Sequence, residues 1–195
     1  MKKIKDYIVR AHTHKQIIIP IISDTDEDVS VRIRLTGRGA TAQIIGIIFS
    51  RGKGHISLHT LQLHEAPETT SNLLVKAVLA DESTFLYDGA IRVEPMAQKT
   101  DAYQRNENLL LSGRAHAESK PTLEILANDV RCTHGATIGP ISEEQLWYLA
   151  TRGVAKKNAE QLIVSGFLAA ALEKVSDLSV RTSAADRIAA LVAQP

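Results

Sequence analysis

Cys132 and His134 stand two residues apart in the run RCTHGATIG, residues 131–139, and Cys132 is the sole cysteine of the 195-residue chain. In an extended segment residues i and i+2 project from one face, so the thiol and the imidazole stand together. Both are soft-to-borderline ligands, suited to iron–sulfur clusters, copper or zinc. A stable cluster or a structural zinc takes about four protein ligands. One thiol and one histidine are an incomplete set. Either a second subunit or small thiols complete it, or the site holds its cargo transiently, as a carrier or assembly scaffold must. The plainer alternative is an inert buried thiol beside an unrelated histidine, because free cysteine is among the most buried residue types. A nucleophile with its base is a poorer fit. Side chains two apart on a strand stand roughly 6–7 Å from each other, whereas a base must come within about 3 Å of the proton it takes.

The remaining candidates are weaker. His55 and His59 share one face of an extended segment, His64 lies on the other, and His12 and His14 repeat the i, i+2 spacing near the N-terminus. These read as surface or turn histidines. The acidic run Asp24, Asp26, Glu27 and Asp28 reads as a solvated loop, without the spaced ligands of a calcium loop. The sequence contains no GxxxxGK[ST] phosphate loop, so no nucleotide is expected to be bound in that way.

Composition narrows the class. Lys and Arg number 23 against 22 Asp and Glu, and aromatics make up 4%. Neither a basic stripe nor stacking residues point to nucleic acid. The longest apolar runs, IIIPII and IIGIIF, are far too short to span a bilayer. The start, MKKIKDYIVR, lacks the apolar stretch and cleavage site of a signal peptide. A single cysteine forms no internal disulfide, which suits a reducing compartment. A cytoplasmic protein with no membrane segment is expected.

The elements that must position Cys132 and His134 are strands. VSVRIRL (29–35) alternates apolar and polar residues, and runs at 41–49, 55–63, 72–79, 83–93, 108–111 and 121–126 follow it. TGRG, SRGKG, EAPETTSN, ADES and SGR separate them as turn signals. IIGIIF and NLLVKAVL are apolar on both faces, so they are buried from both sides, as when one solenoid or sheet stacks on another. An all-β core, sandwich, barrel or solenoid, is expected over 29–140 after an N-terminal segment, 1–28. The period changes after Pro140. Ser142 with Gln145 three residues on forms a capping box, and Gly153 suits the end of that helix. A second helix is expected over 155–175, with one apolar face for its own chain and another available to a partner. A third segment, 180–193, has helical spacing, and the helical region runs from 141 to 195.

The run AQKTDAYQRNENLLLSGRAHAESKPTLEILANDVRCTHGATIGPISEEQLWYLATRG, residues 97–153, resembles the core of the SufB/SufD family, scaffold proteins of the Suf iron–sulfur cluster assembly system. HEAPETTSNLLVKAVLADESTFLYDGAIRV (64–93) is similar to that family in order and spacing, and the resemblance covers roughly residues 40–175. It implies a right-handed parallel β-helix followed by a short α-helical region. It also implies a dimer with a SufB-like chain or a second copy, and a SufC-type ABC ATPase docked on the helices. Leu146, Trp147, Phe167, Leu168 and Leu172 are the residues expected to meet that ATPase. The CTHGA stretch is closer to SufD, whose cysteine and histidine fall on Cys132 and His134. Gly135 stands where SufB carries a second glutamate, and Asn106 where SufB has a cysteine. Typical members are about twice as long, so this is a short form. The resemblance implies a non-enzymatic scaffold in which Cys132 and His134 hold iron or a transient iron–sulfur cluster. A structural adaptor that holds the ATPase without touching the cluster, and a Cys/His-dependent enzyme on a β-solenoid, are the alternatives.

Overall fold

The computed structural model describes residues 2–192. Among these, ten strands alternate between two sheets: β1 (Lys2–Val9), β2 (His14–Ser23), β3 (Glu27–Leu35), β4 (Thr41–Ser50), β5 (His55–His64), β6 (Thr70–Leu79), β7 (Thr84–Val93), β8 (Thr100–Leu110), β9 (His116–Ile125) and β10 (Val130–Pro140). The odd strands form one sheet and the even strands the other, in chain order, with every pairing parallel. The chain therefore winds through five circuits of a flattened parallel β-solenoid. Asp28 pairs with Ser57 and Ser57 with Leu86, so a circuit here takes 29 residues. One corner repeats a left-handed residue at His12, Gly39, Glu68 and Lys99, once in each of the first four circuits. The all-β expectation resolves into this solenoid.

The expected N-terminal segment is not separate. β1 and β2 are the first circuit, and their pattern was hidden because Pro20 interrupts IIIPII while three lysines interrupt β1. Proline fits there because β2 is the end strand of its sheet.

Each inward residue stacks on its counterpart one circuit away. The ladder Ile17, Ile44, Leu73, Gln104, His134 shows what the interior does along its length. The first circuits are aliphatic, with Ile17, Ile19, Ile33, Leu35, Ile44 and Ile48 all at most 2% exposed. The later circuits carry buried hydrogen-bonded polar groups. Tyr87 Oη and Thr60 Oγ1 are 2.9 Å apart, Gln62 Nε2 donates to Gln104 Oε1 at 3.3 Å, and Gln104 Nε2 donates to the Gly89 carbonyl at 3.0 Å. A Cβ on Gly89 would stand 2.3 Å from Tyr87 Oη and 2.6 Å from Gln104 Nε2. Gly89→Ala is therefore expected to destabilise the fold by about 1–3 kcal/mol, read from denaturant midpoints, as overpacking of a filled interior does. An unchanged midpoint would mean that the interior has slack.

His64 lies inside the same circuits, its Nδ1 2.7 Å from Thr69 Oγ1 and its Nε2 2.8 Å from Ser71 Oγ. Burial pushes its pKa down to about 4. The unfolded imidazole takes a proton near pH 6.5 and the folded one does not, so the stabilisation is complete above pH 6.5. It is lost as the pH falls from there towards 4, by roughly 3 kcal/mol in all. Unfolding free energies measured between those two values should show this slope in the wild type, and His64→Gln should lack that part of it. Equal slopes would refute the assignment.

The helices are α1 (Glu143–Thr151), α2 (Lys156–Leu172) and α3 (Leu178–Val192). Ser142 Oγ accepts the Gln145 amide at 3.5 Å, and Gly153 follows α1 at a φ of +78°. The cap and the stop were both written in the residues. Helices α2 and α3 lie on the outer face of the even-numbered sheet, where Val164, Leu168, Ala171, Ala184 and Ile188 meet Ile22, Ile45, Ile47, Phe49 and Val78. The strands apolar on both faces are thus covered inside by the solenoid and outside by the chain's own helices, not by a second sheet.

Candidate functional site

β10 pairs with β8 so that Cys132 lies beside Ala102 and His134 beside Gln104, both of which are buried and point inward. Cys132 and His134 therefore face the interior of the solenoid at its final circuit. β9 and β10 are the end strands of their sheets, so this end presents unpaired strand edges. Cys132 is half-buried against the cluster of Ile91, Val93, Ala97, Ala102 and Ala127. His134 is exposed at the end of its ladder, and Gln104 is its inward neighbour. Leu111, Ile125, Leu126 and Ile138 are 36–46% exposed around this part of the fold. The opposite end differs. On β1, Lys3 and Lys5 occupy the inward ladder positions beside Val29 and Val31, and inward charges blunt a free edge against pairing. One end of the solenoid is charged, the other apolar with a thiol and an imidazole.

Burial pushes the Cys132 thiol up; Asp101 adds to that, and a hydrogen bond with the Ala102 backbone opposes it. An inward thiol with a raised pKa is a poor free nucleophile, which counts against the enzyme reading. A metal ion reverses the preference, because binding displaces the proton. Among the described residues no group of three or more His, Cys, Asp or Glu side chains is placed to hold a metal.

The other histidines do not join them. His55 Nδ1 is 2.6 Å from Thr84 Oγ1, and His59 Nδ1 is 3.3 Å from Asp88 Oδ2, both on the outer face of the odd-numbered sheet. His14 Nδ1 lies 3.1 Å from Thr41 Oγ1, and His12 occupies a left-handed corner position. In the acidic run, Glu27 pairs with Lys3 at 2.5 Å and Asp26 Oδ1 accepts the His55 amide at 2.9 Å. Asn106 is spent on Asn108, with Nδ2 to Oδ1 distances of 3.3 and 2.8 Å in the two directions.

The five residues expected to meet an ATPase separate into three groups. Trp147 is 68% exposed and Leu146 is half-buried on α1. Leu168 is 0% and Leu172 9% exposed, both spent on the chain's own sheet. This corrects the expectation for those two, since a side chain already covered offers no surface. Phe167 is half-buried, with Lys76 Nζ 4.2 Å from its ring centroid. That lysine also pairs with Glu107 at 2.8 Å, each side chain 11% exposed. Sequence reading missed this ion pair under α2. The only trace is Lys76 inside NLLVKAVL, a charge on the strand face that α2 covers.

The sequence model of the family described as "SUF system FeS cluster assembly, SufBD core domain" matches residues 22–167. The chain belongs to the SufBD family. It is 34% identical over 155 residues to the iron–sulfur cluster assembly protein SufD of Escherichia coli K12, a match covering 80% of this chain and 37% of that protein. SufD of Bacillus subtilis 168 is 30% identical over 149 residues, 76% of this chain and 34% of the relative. An iron–sulfur cluster assembly SufBD family protein of Mycobacterium tuberculosis H37Rv is 32% identical over 161 residues, 78% of this chain and 41% of the relative. The chain thus spans about two fifths or less of the length of these relatives. The SufBD match takes in the last four of the five circuits, including β10 with both candidate residues, α1 and most of α2. Among the described residues no helix is long and apolar enough to cross a membrane.

Proposed function

We propose that this chain is a SufD-like scaffold subunit of iron–sulfur cluster assembly, not an enzyme, working in the cytoplasm. It works with a SufC-type ABC ATPase on its helical region and a SufB-like chain or second copy on the open end of its solenoid. The observation that carries the reading is the placement of Cys132 and His134 together on the inward face of the terminal strand β10. A thiolate and an imidazole there supply part of a ligand set, and a partner strand against the free edge would supply the rest. Such a shared site releases its iron or cluster when the partners separate. The chain itself binds no nucleotide in this reading, and the ATPase supplies that cycle.

The adaptor alternative has one observation behind it, the apolar packing and raised pKa of Cys132. The deciding test is anaerobic co-expression with the cognate ATPase and SufB-like chain, followed by purification and iron and sulfide analysis. A complex whose cluster depends on Cys132 supports the scaffold. A complex with equal cluster content when Cys132 is alanine makes the chain an adaptor. Failure to form any complex overturns both.

A further inference from the structure

We propose that a cleft between the end of the solenoid and α1 seats a lysine or arginine of the ATPase partner, flanked by apolar residues on that partner. This rests on the reading that the helical region carries the ATPase, and it adds where the contact lies and what chemistry it selects. The cleft has a volume of about 380 Å³ and an apolar wall that includes Leu110, Leu111, Pro140 and Leu146. Glu143 of α1 and Glu160 of α2 line it from two different helices.

Among the described residues neither carboxylate is well neutralised. Glu160 has a long 3.9 Å pair with the exposed Lys156, and among the described residues Glu143 forms no ion pair. Arg114, beside the 111–113 wall, lies 3.7 Å from Glu82. Glu143 and Glu144 also suit the positive end of α1, which accounts for their place in its first turn. That explanation does not reach Glu160, which brings a second negative charge to the cleft from α2.

Helix α1 itself calls for a cover. Its nine residues include none that is buried, and Trp147 and Tyr148 are 68% and 53% exposed. A capped helix that gives Glu143 and Leu146 to the cleft and carries an exposed tryptophan next in the chain is the kind of surface that supplies the few residues dominating an interface. The occupant follows from charge and shape. A long cationic side chain lays its aliphatic stem on Leu111 and Leu146 and sets its head between two carboxylates. An acidic or purely apolar segment would leave those carboxylates desolvated without a partner, which is costly.

The test is titration calorimetry of the full chain against the cognate ATPase at low and high salt. It compares wild type, the double variant Glu143→Gln with Glu160→Gln, and Trp147→Ala. The double variant is expected to bind roughly tenfold or more weakly at low salt and to lose most of the salt dependence. Trp147→Ala is expected to weaken binding at both salt concentrations. Wild-type binding that the double variant retains unchanged would remove the cleft while leaving ATPase docking in place. If the wild type does not bind at all, the docking reading fails, and the cleft proposal fails with it.

Discussion

Leu168→Asp is expected to destabilise the protein by about 4 kcal/mol or more and to free α2 and α3 from the sheet beneath them. Leu168 is fully buried in the cluster that joins Val164, Ala171 and Ala184 to Ile45, Ile47 and Phe49. Removing a buried leucine costs roughly 2–5 kcal/mol through lost transfer energy and the remaining cavity. A carboxylate in its place adds an unpaired charge in an apolar layer, worth several more unless the helix lifts off and water enters. Release of the helices should therefore be the observed outcome. Denaturant unfolding and hydrogen exchange measured together would show lower stability with protection lost over residues 156–192 and over the outer face of β4 and β6. Trp147→Ala is the contrast. Its side chain touches little of its own chain, so stability should change by less than about 0.5 kcal/mol. If Leu168→Asp kept full stability and lost only ATPase binding, the residue would be a contact residue and its burial would be a property of the free chain alone.

That contrast marks where the sequence could be read and where it could not. Alternation in VSVRIRL and the Ser142–Gln145 box exposed a strand and a helix start, because each depends on near neighbours. Apolar residues at helical spacing marked α2, but nothing in them says whether a sheet or a partner covers Leu168. The answer lies in Ile45 and Phe49, more than a hundred residues away. The solenoid period was obscured for a related reason. Circuits differ in length, from Lys2 pairing with Asp28 to Leu86 pairing with Glu118, so no fixed repeat shows. Lys3 and Lys5 take inward positions on β1 and Pro20 interrupts β2, so the apolar alternation is obscured in the first circuit. The pairing of Cys132 with His134 was legible, since it needs only an extended backbone. That the pair points inward at an unpaired end was not, since that depends on the register with β8.

The second large effect belongs to that pair. Cys132→Ala is expected to lower iron or cluster delivery by the assembled Suf complex at least tenfold, and His134→Ala by a comparable or smaller factor, without unfolding the chain. Thermal unfolding should confirm the second point. Cys132 is half-buried and His134 exposed, and both lie on an end strand with no further strand above it, so truncation should cost about 1 kcal/mol or less. The functional loss follows from ligand arithmetic. On the proposed scaffold reading this chain gives two ligands to a shared set, and removing either leaves one to hold the cluster against the partner's share. Alkylation gives an independent check. Burial holds the thiol protonated, so in the isolated chain it should react with iodoacetamide more slowly than in the unfolded chain, and assembly with iron present should protect it further. Fast alkylation of the free chain would revive the nucleophile reading. Slow alkylation, with delivery intact in both alanine variants, would show that Cys132 and His134 only pack the end of the solenoid. Delivery lost in the variants, with melting unchanged, would make the inward face of β10 the surface on which the cluster is held.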